Sequence, residues 1–179
     1  ALTSLEGIKN LTTLKTIYAY SCGLTNLPNF ATNSSLQYLS IYSNKGITTL
    51  SGLENCKNLQ SLYAYNCAIT DVTSLSGNTA LTYLSLYTNT NLVNVAAISS
   101  CTSINNLYLA NNTKMSVNDV KTLAPIIANC RKNYSIPNTY LQYLTTLTSY
   151  DYTNFNLTDS SDQITHLKNG TQIYRLSLS

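Results

Sequence analysis

Apolar residues recur along this chain in a block of fixed shape. Starting at Leu14, Leu36, Leu59, Leu81 and Ile104, the segments LKTIYAYSC, LQYLSIYSN, LQSLYAYNC, LTYLSLYTN and INNLYLANN lie 22, 23, 22 and 23 residues apart. Inside each block apolar and polar positions alternate, the period of a strand with one buried face. Leu39 and Ile41 are therefore predicted to point inward together, and Tyr38, Ser40 and Tyr42 outward. The ninth position turns the chain off the strand. Asn44, Asn89 and Asn112 stand there, with side chains able to bond the backbone groups that a turn leaves unpaired. Further apolar residues, such as Leu50 and Leu53 or Val72 and Leu75, close each coil from the other side. One coil cannot bury its apolar edge alone, so the pattern predicts a stack.

The block has the form L-x-x-L-x-L-x-x-(N/C), the leucine-rich-repeat signature, in five near-consecutive copies. A repeat of 22 residues has no room for a long helix opposite the strand, so 3-10 turns and extended segments are expected there. The chain resembles the internalin-type leucine-rich repeats of bacterial surface proteins, and AITDVTSLSGNTAL, from Ala68 to Leu81, is close to that family's convex segment. The resemblance covers about residues 1–115. It implies an α/β fold, a right-handed horseshoe with a parallel concave sheet, and a binding role at the cell surface; with the later repeats counted, about seven strands are expected. A longer period overlies the short one. A shift of 45 residues lays Tyr18, Tyr20, Cys22, Tyr38, Tyr42 and Asn44 on Tyr63, Tyr65, Cys67, Tyr83, Tyr87 and Asn89.

Regularity breaks after Asn112. Residues 116–133 read as a helix, with Ser116 or Asn118 as N-cap, an apolar stripe of Val120, Leu123, Ala124, Ile127 and Cys130, and a kink or division at Pro125. A second short helix fits Thr139–Thr146. The repeat then resumes, with LTSYDYTNFNL from Leu147 and a final strand in IYRLSLS from Ile173. The sequence thus predicts one solenoid over 1–179, regular to 115, with a helical insertion over 116–146 and resumed repeats over 147–179. The alternative is that a different module starts near Tyr134. Both ends read as parts of repeats, which predicts a piece of a longer protein carrying its targeting segment elsewhere.

Composition narrows the function. Only 9% of residues are charged, against roughly 25% in an average globular protein. A net charge of +3 without a basic cluster excludes a nucleic-acid footprint, and no apolar run approaches a membrane span. The five cysteines have the spacing of buried thiols. Cys22 and Cys67, like Cys56 and Cys101, stand two coils apart, or ~10 Å, which is too far for a disulfide. No C-x-x-C is present, and no metal or cofactor is expected. The only histidine, His166, lies in DQITHLKNG, read as a convex segment with no nucleophile beside it. Asp151, Asp159 and Asp162 match no calcium-loop spacing and read as solvated turns.

What remains is tyrosine. The third, fifth and seventh positions of the strands carry Tyr18, Tyr20, Tyr38, Tyr42, Tyr63, Tyr65, Tyr83, Tyr87 and Tyr108, nine of the 15 tyrosines in the chain. With strands ~4.8 Å apart, the four seventh-position rings should form a ladder. Tyrosine offers large area, few rotors and a hydroxyl, so these nine are the candidate ligand-binding residues. The expected function is non-catalytic binding by a monomeric extracellular or cell-surface module. Its partner is a protein, or alternatively a glycan whose sugar faces stack on the rings. A structural spacer, with tyrosines that merely stabilise the sheet, is the other reading.

Overall fold

A computed structural model describes residues 2–116, 119, 122, 123 and 126, and the backbone of Asn133–Ile136, Ile164–Asn169 and Gln172–Leu178. Five three-residue strands carry the regular repeats: β1 (Thr16–Tyr18), β2 (Tyr38–Ser40), β3 (Ser61–Tyr63), β4 (Tyr83–Ser85) and β5 (Asn106–Tyr108). They run parallel as a right-handed horseshoe, and equivalent positions pair in register, Ile17 with Leu39, Leu62, Leu84 and Leu107 in turn. The sheet continues through β6 (Asn133–Ile136), which is parallel to β5. Beyond it lie β8 (Gln172–Leu178), parallel to β6, and β7 (Ile164–Asn169), antiparallel at the edge.

The alternation seen in the sequence is the one that is buried. Leu39, Ile41, Leu62, Leu84, Leu86, Leu107 and Leu109 are wholly inside, and Leu50, Leu53, Val72 and Leu75 meet them from the convex side. That side is built from short 3-10 turns at Glu6–Ile8, Thr73–Leu75 and Ala96–Ser100 and from extended segments, as the repeat length requires. Parallel pairing extends past the short strands. Ser21, Ser43, Asn66 and Thr88 donate their N–H groups to the carbonyls of Tyr42, Tyr65, Tyr87 and Ala110 at 2.9–3.0 Å.

Each coil then bends sharply. Ser21, Ser43, Asn66, Thr88 and Asn111, the eighth residue of every block, all have φ between 51° and 58°. Asn tolerates this left-handed backbone, whereas a β-branched residue is strained in it. We expect Thr88→Asn to raise the unfolding free energy by ~1 kcal/mol in urea melts. The opposite sign is expected at Gly52, where φ is +106° and an added Cβ would meet the Pro28 carbonyl oxygen at 2.3 Å. Gly52→Ala should cost more than ~1 kcal/mol, read by the same melts.

The asparagines stitch one coil to the next. The Asn44 amide donates to the carbonyls of Ala19 (2.8 Å) and Ile41 (2.7 Å), and its oxygen accepts from Cys22 and Leu24 N–H, both at 3.1 Å. Asn89 repeats this with Ala64, Leu86 and Ile69, and Asn112 with Leu86, Leu109 and the Asn89 N–H. At the same position Cys67 gives its thiol hydrogen to Ile41 or Tyr65 carbonyl oxygen, at 3.4 and 3.6 Å. Cys22, Cys56, Cys67 and Cys101 are all free thiols.

Three expectations change after Asn112. The DQITHLKNG segment is not convex: Ile164–Asn169 is strand β7, with His166 opposite Arg175 of β8. Its alternating residues pair with the following strand, a hairpin that the repeat period does not encode. Among the described residues the sheet accordingly holds eight strands, one of them antiparallel, where the sequence predicts about seven in parallel. The helix read over 116–133 cannot reach its predicted end, because Asn133 already belongs to β6 and pairs with β8. Among the described residues no long helix or helical insertion is seen, and only the predicted start carries a local signature. Ser116 Oγ accepts the Asp119 N–H at 3.2 Å, and the Asp119 carboxylate accepts the Ser116 N–H at 2.7 Å, a reciprocal capping box. Asp119, Thr122 and Ile126 have helical backbone, and Leu123 and Ile126 are buried in the core. The stripe residues Val120, Ala124, Ile127 and Cys130, with Pro125, lie outside the described residues. So do the helix over 139–146, the segment from Leu147, and Asp151, Asp159 and Asp162.

Candidate functional site

The outward positions of β1–β5 and the residues just beyond them form one concave wall. Its columns follow from the register. Seventh-position residues stand directly opposite one another, so Tyr20, Tyr42, Tyr65 and Tyr87 can only lie face to face. Their ring centroids are 4.5, 4.4 and 4.4 Å apart, with planes within 4–10° of parallel. These steps are shorter than the ~4.8 Å between strands, as expected for side chains on the inside of a curve.

The second column zigzags. The paired coils place Tyr at the fifth position of β1, β3 and β5 and at the third position of β2 and β4. Neighbouring rings are therefore diagonal. The steps Tyr18–Tyr38, Tyr38–Tyr63, Tyr63–Tyr83 and Tyr83–Tyr108 span 4.5–5.4 Å, with tilts of 24–45°. Opposite each fifth-position tyrosine stands a serine, Tyr18 and Tyr63 flanking Ser40, and Tyr63 and Tyr108 flanking Ser85. The rings cover these small residues so completely that Ser40 and Ser85 are buried at 2% exposure.

All nine candidate tyrosines thus come together in two continuous stacks. Seven are half-buried by their neighbours, while Tyr18 and Tyr20 at the β1 end are exposed. The wall is also uncharged, since none of the fifteen third, fifth and seventh positions in the five coils holds Asp, Glu, Lys or Arg. Sequence reasoning identified the seventh-position ladder directly. It did not foresee that the alternating third and fifth positions would join into a second stack, although the 45-residue shift carries that information.

Crowding shows in the acidities. Burial, then the neighbouring phenols Tyr63 and Tyr18, push Tyr38 up to about 12 from an ordinary 10.0. Burial followed by the adjacent rings also raises Tyr42, Tyr65 and Tyr83. Among the thiols, burial lifts Cys56 from 9.0 to about 11 and raises Cys67 and Cys101. A folded-state value above the unfolded one means that folding favours the neutral form. That stability is intact below the unfolded value and is lost as pH rises through the folded one. Unfolding free energy should therefore hold below pH ~9, then fall between about pH 9 and 12. Urea melts across that range check it, and tyrosinate absorbance should keep rising above pH ~10 as Tyr38, Tyr42, Tyr65 and Tyr83 titrate.

The described residues hold no group of three His, Cys, Asp or Glu able to bind a metal ion, and no described helix is long and apolar enough to cross a membrane. A family model of leucine-rich repeats, in two copies, matches residues 57–100. In sequence, no curated protein matches the chain. Among solved structures it is similar to an internalin (inlF) from Listeria monocytogenes, with TM-score 0.55, 22% identity, and coverage of 75% of this chain and 45% of that one. Internalin C2 (inlC2) from the same organism matches with TM-score 0.50, 21% identity, and coverage of 82% and 73%. The chain thus spans less than half the length of the first of these.

Proposed function

We propose that this chain, a leucine-rich-repeat protein of internalin-like fold, is a non-catalytic binding module that recognises a protein ligand with the nine tyrosines of its concave face. The observation that carries the reading is the pair of tyrosine stacks. Each ring is held by its neighbours and by the coil register, so little side-chain entropy is left to lose when a ligand docks. The stacking also favours protein over glycan. Sugars stack on exposed ring faces, but Tyr42 and Tyr65 already spend both faces on their neighbours at 4.4–4.5 Å. Ring edges and hydroxyls remain, and these suit backbone carbonyls and apolar side chains.

The internalin-type resemblance supports an extracellular or cell-surface setting. We place residues 1–179 in one solenoid. The test compares the wild type with the double variant Tyr42→Ala/Tyr65→Ala in protein pull-downs from host-cell extracts and on a glycan array. Protein capture that the variant loses is the expected result. Glycan capture, or equal protein capture by both, would overturn the reading.

A further inference from the structure

Resting on that binding reading, we infer that the tyrosine face is built for an uncharged, proline-rich segment in the polyproline II conformation, lying along the solenoid axis across strands β1–β5. The first argument is period. The surface repeats every two coils, because third- and fifth-position tyrosines alternate from strand to strand. Two strand spacings amount to ~9.6 Å. A polyproline II helix turns once in three residues, or ~9.3 Å. At 4.4–4.5 Å per ring step the seventh-position column is slightly tighter than the backbone, so the ligand's turn falls between the two. An α-helix, with its ~5.4 Å pitch, and a β-strand, repeating every ~6.6 Å, match neither one coil nor two.

The second argument is chemical. A polyproline II segment has no internal hydrogen bonds, and proline carries no N–H, so its backbone presents acceptors alone. The wall carries phenol hydroxyls in two rows, bonded to one another along each stack, and a hydroxyl can turn from its neighbour to donate to a ligand. It offers no formal charge, and a charged ligand would lose its hydration here without a partner. Charge complementarity thus selects a neutral segment, and the stiffness of polyproline II keeps the ordering cost low. Strands β1–β5 span ~19 Å, which ~3.1 Å per residue fills with about six residues.

Calorimetric titration of the chain with capped oligoprolines of three, six and nine residues, beside a β-linked glucose hexamer, tests the inference. Binding should strengthen from three residues to six and then level off. The decisive variant is the exchange Ser61→Tyr/Tyr63→Ser, which keeps composition and gives β3 the pattern already present in β2 and β4. Its melting temperature should change little, while nonaproline affinity falls at least tenfold because the two-coil period is broken. Nonaproline that does not bind, binding indifferent to the exchange, or preferential binding of the hexamer would overturn the inference. Should nonaproline fail while Tyr42→Ala/Tyr65→Ala still abolishes capture of a host protein, only the polyproline assignment falls. Should both fail, the binding reading falls with it.

Discussion

Asn44→Ala will cost this solenoid about 3–5 kcal/mol of unfolding free energy, a large part of the stability of an ordinary domain. Asn44 is fully buried. Its amide serves two carbonyls and its oxygen two N–H groups, linking the turn after β2 to the turn after β1. Alanine removes all four bonds and leaves backbone groups in a space that solvent does not reach, at ~1–3 kcal/mol for each group left fully unpaired. Neighbouring coils fold only against one another, so the loss should reach the whole array. Asn44→Cys supplies the control, because the chain itself uses cysteine here at Cys22 and Cys67. The Cys67 thiol donates to a carbonyl at 3.4 Å, and its sulfur receives the Asn44 N–H. Asn44→Cys should therefore retain part of the stability that Asn44→Ala forfeits. Chemical denaturation of the three proteins measures the order; equal loss in the two variants would mean that volume, not bonding, governs the position.

The same residues explain which parts of the fold could be read in advance. Leucines at fixed spacing determine direction, because in a strand a shift of one residue would expose them all. Once Leu39, Leu62, Leu84 and Leu107 share a register, the tyrosines one position to either side and three positions on have no freedom to scatter. The ladder Tyr20, Tyr42, Tyr65, Tyr87 is thus almost a property of the repeat. Ring tilt, the burial of Ser40 and Ser85 beneath their neighbours, and the joining of the third and fifth positions into one column depend on side-chain packing between coils. No single block contains that information. The segment around His166 was misread for a related reason. Its pairing with β8 is a local hairpin, and a period of 22 or 23 residues says nothing about a unit that leaves the repeat. The capping box of Ser116 and Asp119 is legible in the sequence because it closes within four residues. That no helix runs through to Asn133 depends on where β6 meets β5, which is a long-range matter.

Tyr42→Ala/Tyr65→Ala should weaken ligand binding on the order of 10²-fold or more, if each ring acts as an interfacial anchor at ~2 kcal/mol. The alternative role, sheet stabilisation, makes a different forecast. Three stacked steps disappear in the variant, Tyr20–Tyr42, Tyr42–Tyr65 and Tyr65–Tyr87. At ~0.5–1.5 kcal/mol each, they would show as a lower melting temperature with unchanged affinity at temperatures where the protein remains folded. Affinity and stability are therefore measured on the same samples. Tyr42→Phe/Tyr65→Phe separates the two roles more finely, because it keeps the stacks and removes only hydroxyls. A binding surface that uses the phenols as donors should lose about tenfold in this variant, with melting almost unchanged. A sheet that needs only the rings should lose nothing. If the phenylalanine variant binds as the wild type does while the alanine variant both melts early and binds fully when folded, the tyrosine wall is scaffolding and the ligand sits elsewhere.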